Sequence, residues 1–123
     1  MKHTRILVVE DEFMIASQLK TNLIKVGHVV CGIASRGEDA IAMARKEAPD
    51  AILMDIRIRG SQDGMAAAKE IRTFLDVPII FTSGYADHEM RDQALALQPS
   101  AYLLKPISIA QIEELLEGDF TAN

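Results

Sequence analysis

The sequence predicts an α/β fold in which five parallel strands form one doubly wound sheet with helices on both faces. Short apolar runs alternate along the 123 residues with segments whose apolar residues recur at helical spacing. Four of the five runs are continuously apolar, which is typical of parallel strands that helices cover on both faces. The length allows one domain with a substantial core and is too short for two.

The predicted strands follow one another along the chain at residues 6–9, 29–34, 51–54, 77–81 and 101–104. The second run includes Cys31 and Gly32, so we expect it at an edge of the sheet. Four of the intervening segments place apolar residues on one helical face: Leu19, Leu23 and Val26; Ala40, Ile41 and Ala44; Ala68, Ile71 and Leu75; and Ile112, Leu115 and Leu116. This alternation of strand and helix predicts a parallel sheet.

Residues suited to capping mark the predicted helix starts. They are Ser35 with Glu38 and Ser108 with Gln111 at capping-box spacing, and Asp63 and Asp87 as single N-caps. Helix ends are predicted near Gly27, Pro49, Pro99 and Gly118. The domain is therefore predicted to span residues 1–118, with residues 119–123 as a flexible C-terminal tail.

The composition argues against several classes of function. A net charge of −5, with no cluster of Lys and Arg, disfavours binding to nucleic acid. No apolar run approaches the ~18 residues of a membrane span, and the run near the start is too short for a signal peptide. The single cysteine, Cys31, cannot form a disulfide within the chain. We expect a cytoplasmic domain that binds neither nucleic acid nor membranes.

Polar side chains stand at the carboxyl ends of the predicted strands, where ligands bind in sheets of this kind. They are Glu10 and Asp11 after the first strand, Asp55 after the third, Thr82 and Ser83 at the end of the fourth, and Lys105 after the fifth. An ionised Asp55 directly after an apolar strand is costly unless a nearby group compensates its charge. These side chains are therefore candidates for a common site.

Five short segments carry a family resemblance: VVEDE (8–12), Asp55 after an apolar strand, DG (63–64), TSG (82–84) and YLLKP (102–106). In their order and spacing they resemble the receiver domain of bacterial response regulators, from about Thr4 to Gly118. The resemblance implies a flavodoxin-like receiver fold with strand order 2-1-3-4-5, in which the first and third strands are neighbours. It identifies the chain as a stand-alone receiver of two-component signalling, which is a switch rather than an enzyme with a separate substrate.

The resemblance also implies a Mg²⁺ site. Asp11 and Asp55 would be direct ligands, and the remaining ligands would be Glu10 through water and the backbone carbonyl of Arg57. Carboxylates within a few ångströms of one another cannot all stay ionised unaided, and a divalent cation removes this repulsion. Mg²⁺ prefers such hard oxygen ligands.

Asp55 would be the phosphoacceptor in this resemblance. The implied donor is a phosphohistidine of a sensor histidine kinase or of a histidine phosphotransfer protein. Transfer needs positioning and charge neutralisation more than covalent help. Lys105 would supply positive charge, and the Thr82 hydroxyl and the Ser83 amide would donate hydrogen bonds to the phosphoryl group.

The resemblance further implies a switch built from Thr82 and Tyr102. Thr82 would move toward the phosphoryl group and Tyr102 would turn inward, which changes the face formed by the fourth helix, the fifth strand and the fifth helix. That face would bind a downstream protein or a second copy of the chain. For docking of the kinase we assign Ile15 and Pro106; the alternative is that these are isolated exposed apolar residues without a role.

The sequence departs from the family pattern at Glu10 and in the loop after Asp55, and it allows two alternative functions. Glu10 stands where most relatives carry aspartate, and the loop after Asp55 is about one residue longer than usual and lacks its common proline. One alternative function is a receiver-like module that binds proteins without phosphorylation. The other is an aspartyl-phosphate hydrolase, which is disfavoured because Arg57 occupies the position of the second acid that such enzymes need.

Overall fold

Five parallel strands form a single sheet in the computed structural model, which describes residues 4–58, 63–84 and 90–118. The strands are β1 (Arg5–Val9), β2 (Val29–Ala34), β3 (Ala51–Asp55), β4 (Ile79–Ser83) and β5 (Ser100–Leu104). Their spatial order is β2-β1-β3-β4-β5, and every pairing is parallel. The predicted sheet, its strand order and the edge position of β2 are therefore confirmed.

Helices cover both faces of the sheet, as predicted. They are α1 (Phe13–Lys25), α2 (Gly37–Glu47), α3 (Gly64–Arg72), α4 (Arg91–Leu95) and α5 (Ile109–Glu117). The side chains of β1 point alternately to the two faces. Ile6 and Val8 belong to the core shared with α1 and α5, whereas Leu7 and Val9 belong to the core shared with α2, α3 and α4. In the described ranges, none of the helices is long and apolar enough to cross a membrane.

The fourth strand begins two residues later than the apolar run predicted. It starts at Ile79 rather than at Val77. The Val77 carbonyl accepts a hydrogen bond from the Arg72 guanidinium at 2.7 Å, and Pro78 has no amide hydrogen to donate to a neighbouring strand. The strand also continues through Thr82 and Ser83, which therefore lie within the sheet rather than in the loop after it.

The predicted helix caps are confirmed at two starts and wrong at a third. Asp63 accepts from the Ala66 amide at 2.9 Å, and Ser108 forms a complete capping box with Gln111. Ser35 does not cap α2, whose N-cap is Arg36, and within the described ranges no side-chain hydrogen bond closes that end. The Glu38 carboxylate accepts from Arg36 Nε at 3.1 Å at the same helix start. Asp87 and the predicted tail at 119–123 lie outside the described residues.

This contrast between Ser35 and Ser108 predicts different effects of the same substitution. Ser108→Ala removes the acceptor for the Gln111 amide and should lower the free energy of unfolding by about 1 kcal/mol. Ser35→Ala serves as the matched control and should leave the free energy of unfolding within ~0.5 kcal/mol of wild type. Urea denaturation followed by circular dichroism measures both, and equal losses would contradict the cap assignment.

Candidate functional site

The acidic and basic side chains predicted at the strand ends lie together in the structure. Asp55 is the last residue of β3 and Glu10 follows the neighbouring strand β1. The Lys105 ammonium lies 2.8 Å from Asp55 Oδ2 and 3.2 Å from Glu10 Oε1. A backbone hydrogen bond of 2.7 Å from the Lys105 amide to the Ser83 carbonyl fixes where this residue leaves β5. The structure thus places Glu10, Asp55 and Lys105 in one site.

Each oxygen of the two buried carboxylates has a hydrogen-bond donor. Glu10 is 3% exposed and Asp55 is 4% exposed. Besides the contacts to Lys105, Glu10 Oε2 accepts from the Glu12 amide at 3.1 Å and Asp55 Oδ1 accepts from the Arg57 amide at 3.0 Å. Charge-assisted hydrogen bonds of this kind offset the cost of burying ionised groups. They explain how a carboxylate can end the apolar strand β3.

Burial and neighbouring charges shift two pKa values at this site. Burial raises the pKa of Glu10, and the hydrogen bond from the Glu12 amide opposes that shift. Burial alone would lower the pKa of Lys105, but the hydrogen bond and charge of Asp55, followed by those of Glu10, raise it overall. Lys105 is therefore an ammonium at neutral pH. It brings a single formal positive charge to a site with several carboxylates, which favours a further cation there.

Three carboxylates are placed so that they could hold a metal ion. Glu10, Asp11 and Asp55 each offer an oxygen, and these oxygens all lie within 4.8 Å of one another. Carboxylate oxygens this close together could hold Mg²⁺, which binds hard oxygen ligands and usually keeps several waters. The donor set fits a hard divalent cation. The Arg57 amide points to Asp55, while a role for the Arg57 carbonyl as a ligand stays a prediction.

The first turn of α3 lies against the backbone of Asp55. The Gly64 amide donates to the Ile56 carbonyl at 2.8 Å. A Cβ atom placed on Gly64 would lie 2.0 Å from the Asp55 carbonyl oxygen, which is far inside contact distance. The sequence singled out this glycine only as part of the DG motif. The close approach to Asp55 was not predicted, because it depends on how α3 packs back against the sheet.

Ser83 links the two predicted switch residues, because it follows Thr82 in β4 and its side chain contacts Tyr102 in β5. Thr82 is buried and pairs in register with Asp55 across β3 and β4. Ser83 is fully buried; its hydroxyl donates to the Gly84 carbonyl at 3.3 Å and also bonds the Tyr102 hydroxyl. Either hydroxyl can be the donor in the contact between Ser83 and Tyr102. Sequence reasoning assigned only the amide of Ser83 and missed this role of its side chain.

A cavity of about 630 Å³ opens between α1 and the loop that joins β5 to α5. Its polar lining includes Glu10, Thr82 and Lys105, and its apolar lining includes Ile15, Leu19, Pro106, Ile107 and Ile109. The two residues assigned to docking therefore line the same cavity. Ile15 is only partly exposed, whereas the preceding Phe13 and Met14 are 80% and 79% exposed. Helical geometry predicted that at least one of these three would be exposed but not which.

Comparison with known proteins gives a consistent result for sequence and for structure. The family described as response regulator receiver domain matches residues 6–117. The transcriptional regulatory protein PdtaR of Mycobacterium tuberculosis is 31% identical over 113 residues, which cover 92% of this chain and 55% of that protein. The probable transcriptional regulator ycf27 of Guillardia theta is 36% identical over 109 residues, covering 89% of this chain and 42% of that protein.

A solved structure shows the same architecture over nearly its whole length. It is the signal receiver domain of a modulated diguanylate cyclase from Desulfovibrio desulfuricans G20, with a TM-score of 0.84 and 30% identity. The match covers 94% of this chain and 92% of that one. In contrast, the chain spans about half the length of the curated relatives that it matches.

Proposed function

Because the chain belongs to the response regulator receiver family, we propose that it accepts a phosphoryl group on Asp55 and thereby changes a surface that binds other proteins. The observation that carries this proposal is the contact of 2.8 Å between Lys105 and the buried Asp55 carboxylate, inside a cluster of further acids. Such a strand-end carboxylate, held by an ammonium beside a cation-binding set, can attack phosphorus and form an aspartyl phosphate.

In the proposed reaction the donor is a phosphohistidine of a sensor histidine kinase or of a histidine phosphotransfer protein. An Asp55 oxygen forms a new O–P bond while the P–N bond of the phosphohistidine breaks and its imidazole leaves. The Thr82 hydroxyl and the Ser83 amide would donate hydrogen bonds to the transferred group, and Lys105 would neutralise its charge. Mg²⁺ supplies further neutralisation of the phosphoryl oxygens when it is bound by Asp11, Asp55, the Arg57 carbonyl and, through water, Glu10.

We infer that the output surface is the face formed by α4, β5 and α5. Movement of Thr82 toward the phosphoryl group would displace the next residue in β4, Ser83, whose hydroxyl is bonded to Tyr102 in β5. A second cavity, of about 190 Å³, lies on this face and is lined by Arg91, Leu95, Ala101, Tyr102 and Leu115. Repacking at Tyr102 would therefore change a surface available to a downstream protein or to a second copy of the chain.

The donor protein is proposed to dock at the start of α1 and at the loop after β5. Ile15 and Pro106 line the large cavity that also contains Lys105, so a protein bound there could reach the acceptor site. Phe13 and Met14 precede Ile15 in the first turn of α1 and are 80% and 79% exposed. Large apolar side chains exposed to this degree are suited to burial by a partner.

The acceptor assignment is tested by labelling with a small phosphodonor. Incubation with acetyl phosphate and Mg²⁺ should give an adduct of one phosphoryl group, detected by intact mass, and Asp55→Asn should abolish it. Asp76→Asn, which changes an exposed acid elsewhere on the chain, is the matched control and should label like wild type. An adduct that persists in Asp55→Asn would contradict the assignment.

A second measurement is needed because the phosphoryl adduct can hydrolyse before it is detected. Beryllofluoride with Mg²⁺ mimics the phosphoryl group and should shift the NMR signals of Thr82 and Tyr102. If neither an adduct nor a beryllofluoride response occurs, the alternative of a phosphorylation-independent interaction module replaces the proposal. Turnover of a generic phosphate ester above background would instead favour the hydrolase, although Arg57 stands where that chemistry needs an acid.

A further inference from the structure

We propose that the ion pair between Glu10 and Lys105 competes with Mg²⁺ for the acidic site, so that residue 10 sets the affinity of the site for the ion. This inference rests on the proposed function, because it concerns the same metal site. It starts from one contact, the 3.2 Å between Lys105 Nζ and Glu10 Oε1, which no motif in the sequence indicates.

The competition follows from the number of donors already bound by the two buried carboxylates. Lys105 occupies one oxygen of Glu10 and one of Asp55, and the amides of Glu12 and Arg57 occupy the other two. Each oxygen keeps a second lone pair, so a cation that binds both acids would lie beside the Lys105 ammonium, and the two positive charges repel each other. The contact to Lys105 is the mobile one, because a lysine side chain can rotate away whereas a backbone amide cannot.

The length of the Glu10 side chain makes its contact with Lys105 possible. Asp55 holds the same ammonium more closely, at 2.8 Å. From that position, a residue 10 carboxylate withdrawn by one C–C bond (~1.5 Å) from its present 3.2 Å would fall beyond ion-pair distance. An aspartate at this position could still accept the amide two residues along the chain, since Asp side chains readily form that local bond. Glu10→Asp therefore removes the contact with Lys105 while keeping the negative charge and the contact to residue 12.

We expect Glu10→Asp to bind Mg²⁺ about three- to tenfold more tightly than wild type. This is the effect expected from removing the charge-assisted hydrogen bond between Lys105 and residue 10. Isothermal titration calorimetry with MgCl₂ on the full chain measures this directly. The matched control is Glu47→Asp, which shortens a glutamate paired with Arg5 at 3.0 Å near the opposite end of β1. That variant should bind Mg²⁺ like wild type. Equal or weaker binding by Glu10→Asp overturns the inference.

A double-mutant cycle then assigns the effect to Lys105. In a Lys105→Met background, which keeps most of the side-chain volume, Glu10→Asp should change Mg²⁺ affinity by less than about twofold, since the competitor is already gone. If the full tightening persists without Lys105, the ion pair is not its cause and the inference fails.

A direct observation of the lysine serves if Lys105→Met does not fold. The ¹⁵N-edited NMR signal of the Lys105 ammonium should shift on addition of Mg²⁺ to wild type, and the shift should be smaller in Glu10→Asp. An equal shift in both proteins would overturn the inference. Failure of wild type to bind Mg²⁺ at millimolar concentration would instead remove the metal site of the proposed function, so the two failures are distinguishable.

Discussion

Gly64→Ala is expected to lower the free energy of unfolding by about 3 kcal/mol, the upper end of what overpacking by one methyl group costs. The added Cβ would lie 2.0 Å from the Asp55 carbonyl oxygen, 2.8 Å from Ile56 Cα and 2.9 Å from the Asp55 carbonyl carbon. All three are backbone atoms, so no side-chain rotation can relieve the overlap. Either α3 must move away from the sheet or the end of β3 must shift.

The same substitution should impair the proposed phosphorylation of Asp55 beyond its effect on stability. A displaced Asp55 backbone moves its carboxylate relative to Lys105, and a misplacement of ~1 Å in a reactive site can cost about 100-fold in rate. We therefore expect the rate of labelling by acetyl phosphate, corrected for the folded fraction, to fall at least tenfold in Gly64→Ala. Urea denaturation gives the folded fraction, and intact mass gives the labelling rate.

Gly84→Ala is the control for the stability measurement. A Cβ at Gly84 would have no neighbour within 4 Å among the described residues, so its free energy of unfolding should stay within ~0.5 kcal/mol of wild type. If Gly64→Ala were as stable as Gly84→Ala, the start of α3 would not be packed against Asp55 as described.

The sheet and the site were predictable from the sequence because both depend on simple regularities. Continuously apolar runs separated by amphipathic segments indicate parallel strands, and the carboxyl ends of parallel strands meet at one edge of the sheet. Asp55 and Lys105 are 50 positions apart in the chain, yet Asp55 ends β3 and Lys105 directly follows β5, so their proximity followed from topology. The strand order itself came from the family resemblance rather than from the apolar pattern.

Contacts that depend on the reach of one side chain were not predictable in the same way. The pairing of Glu10 with Lys105 requires a particular side-chain length, and the contact of Ser83 with Tyr102 requires two particular rotamers on neighbouring strands. The error at Ser35 has a related cause. A capping-box spacing is a local signal. A nearby charged residue such as Arg36 can form an ion pair with the glutamate that the capping box requires.

Arg72→Ala should also lower the free energy of unfolding by about 3 kcal/mol, because hydrogen bonds from a charged group contribute about 1.5–3 kcal/mol each and are not additive. Its guanidinium donates to four carbonyls at 2.7–3.2 Å, which belong to Leu75, Val77, Leu97 and Pro99. These carbonyls lie in two segments, one leading into β4 and the other leading into β5. Removing the side chain leaves them without this donor.

Arg72→Lys and Arg91→Ala separate this role from a simple effect of charge. Lysine keeps the positive charge, but its ammonium cannot span two segments as the planar guanidinium does, so Arg72→Lys should recover less than half of the stability lost in Arg72→Ala. Arg91 is half exposed and lies 4.0 Å from Asp92, so Arg91→Ala should cost no more than ~0.5 kcal/mol. Full recovery by lysine would mean that charge, rather than the fork of hydrogen bonds to both segments, is what Arg72 contributes.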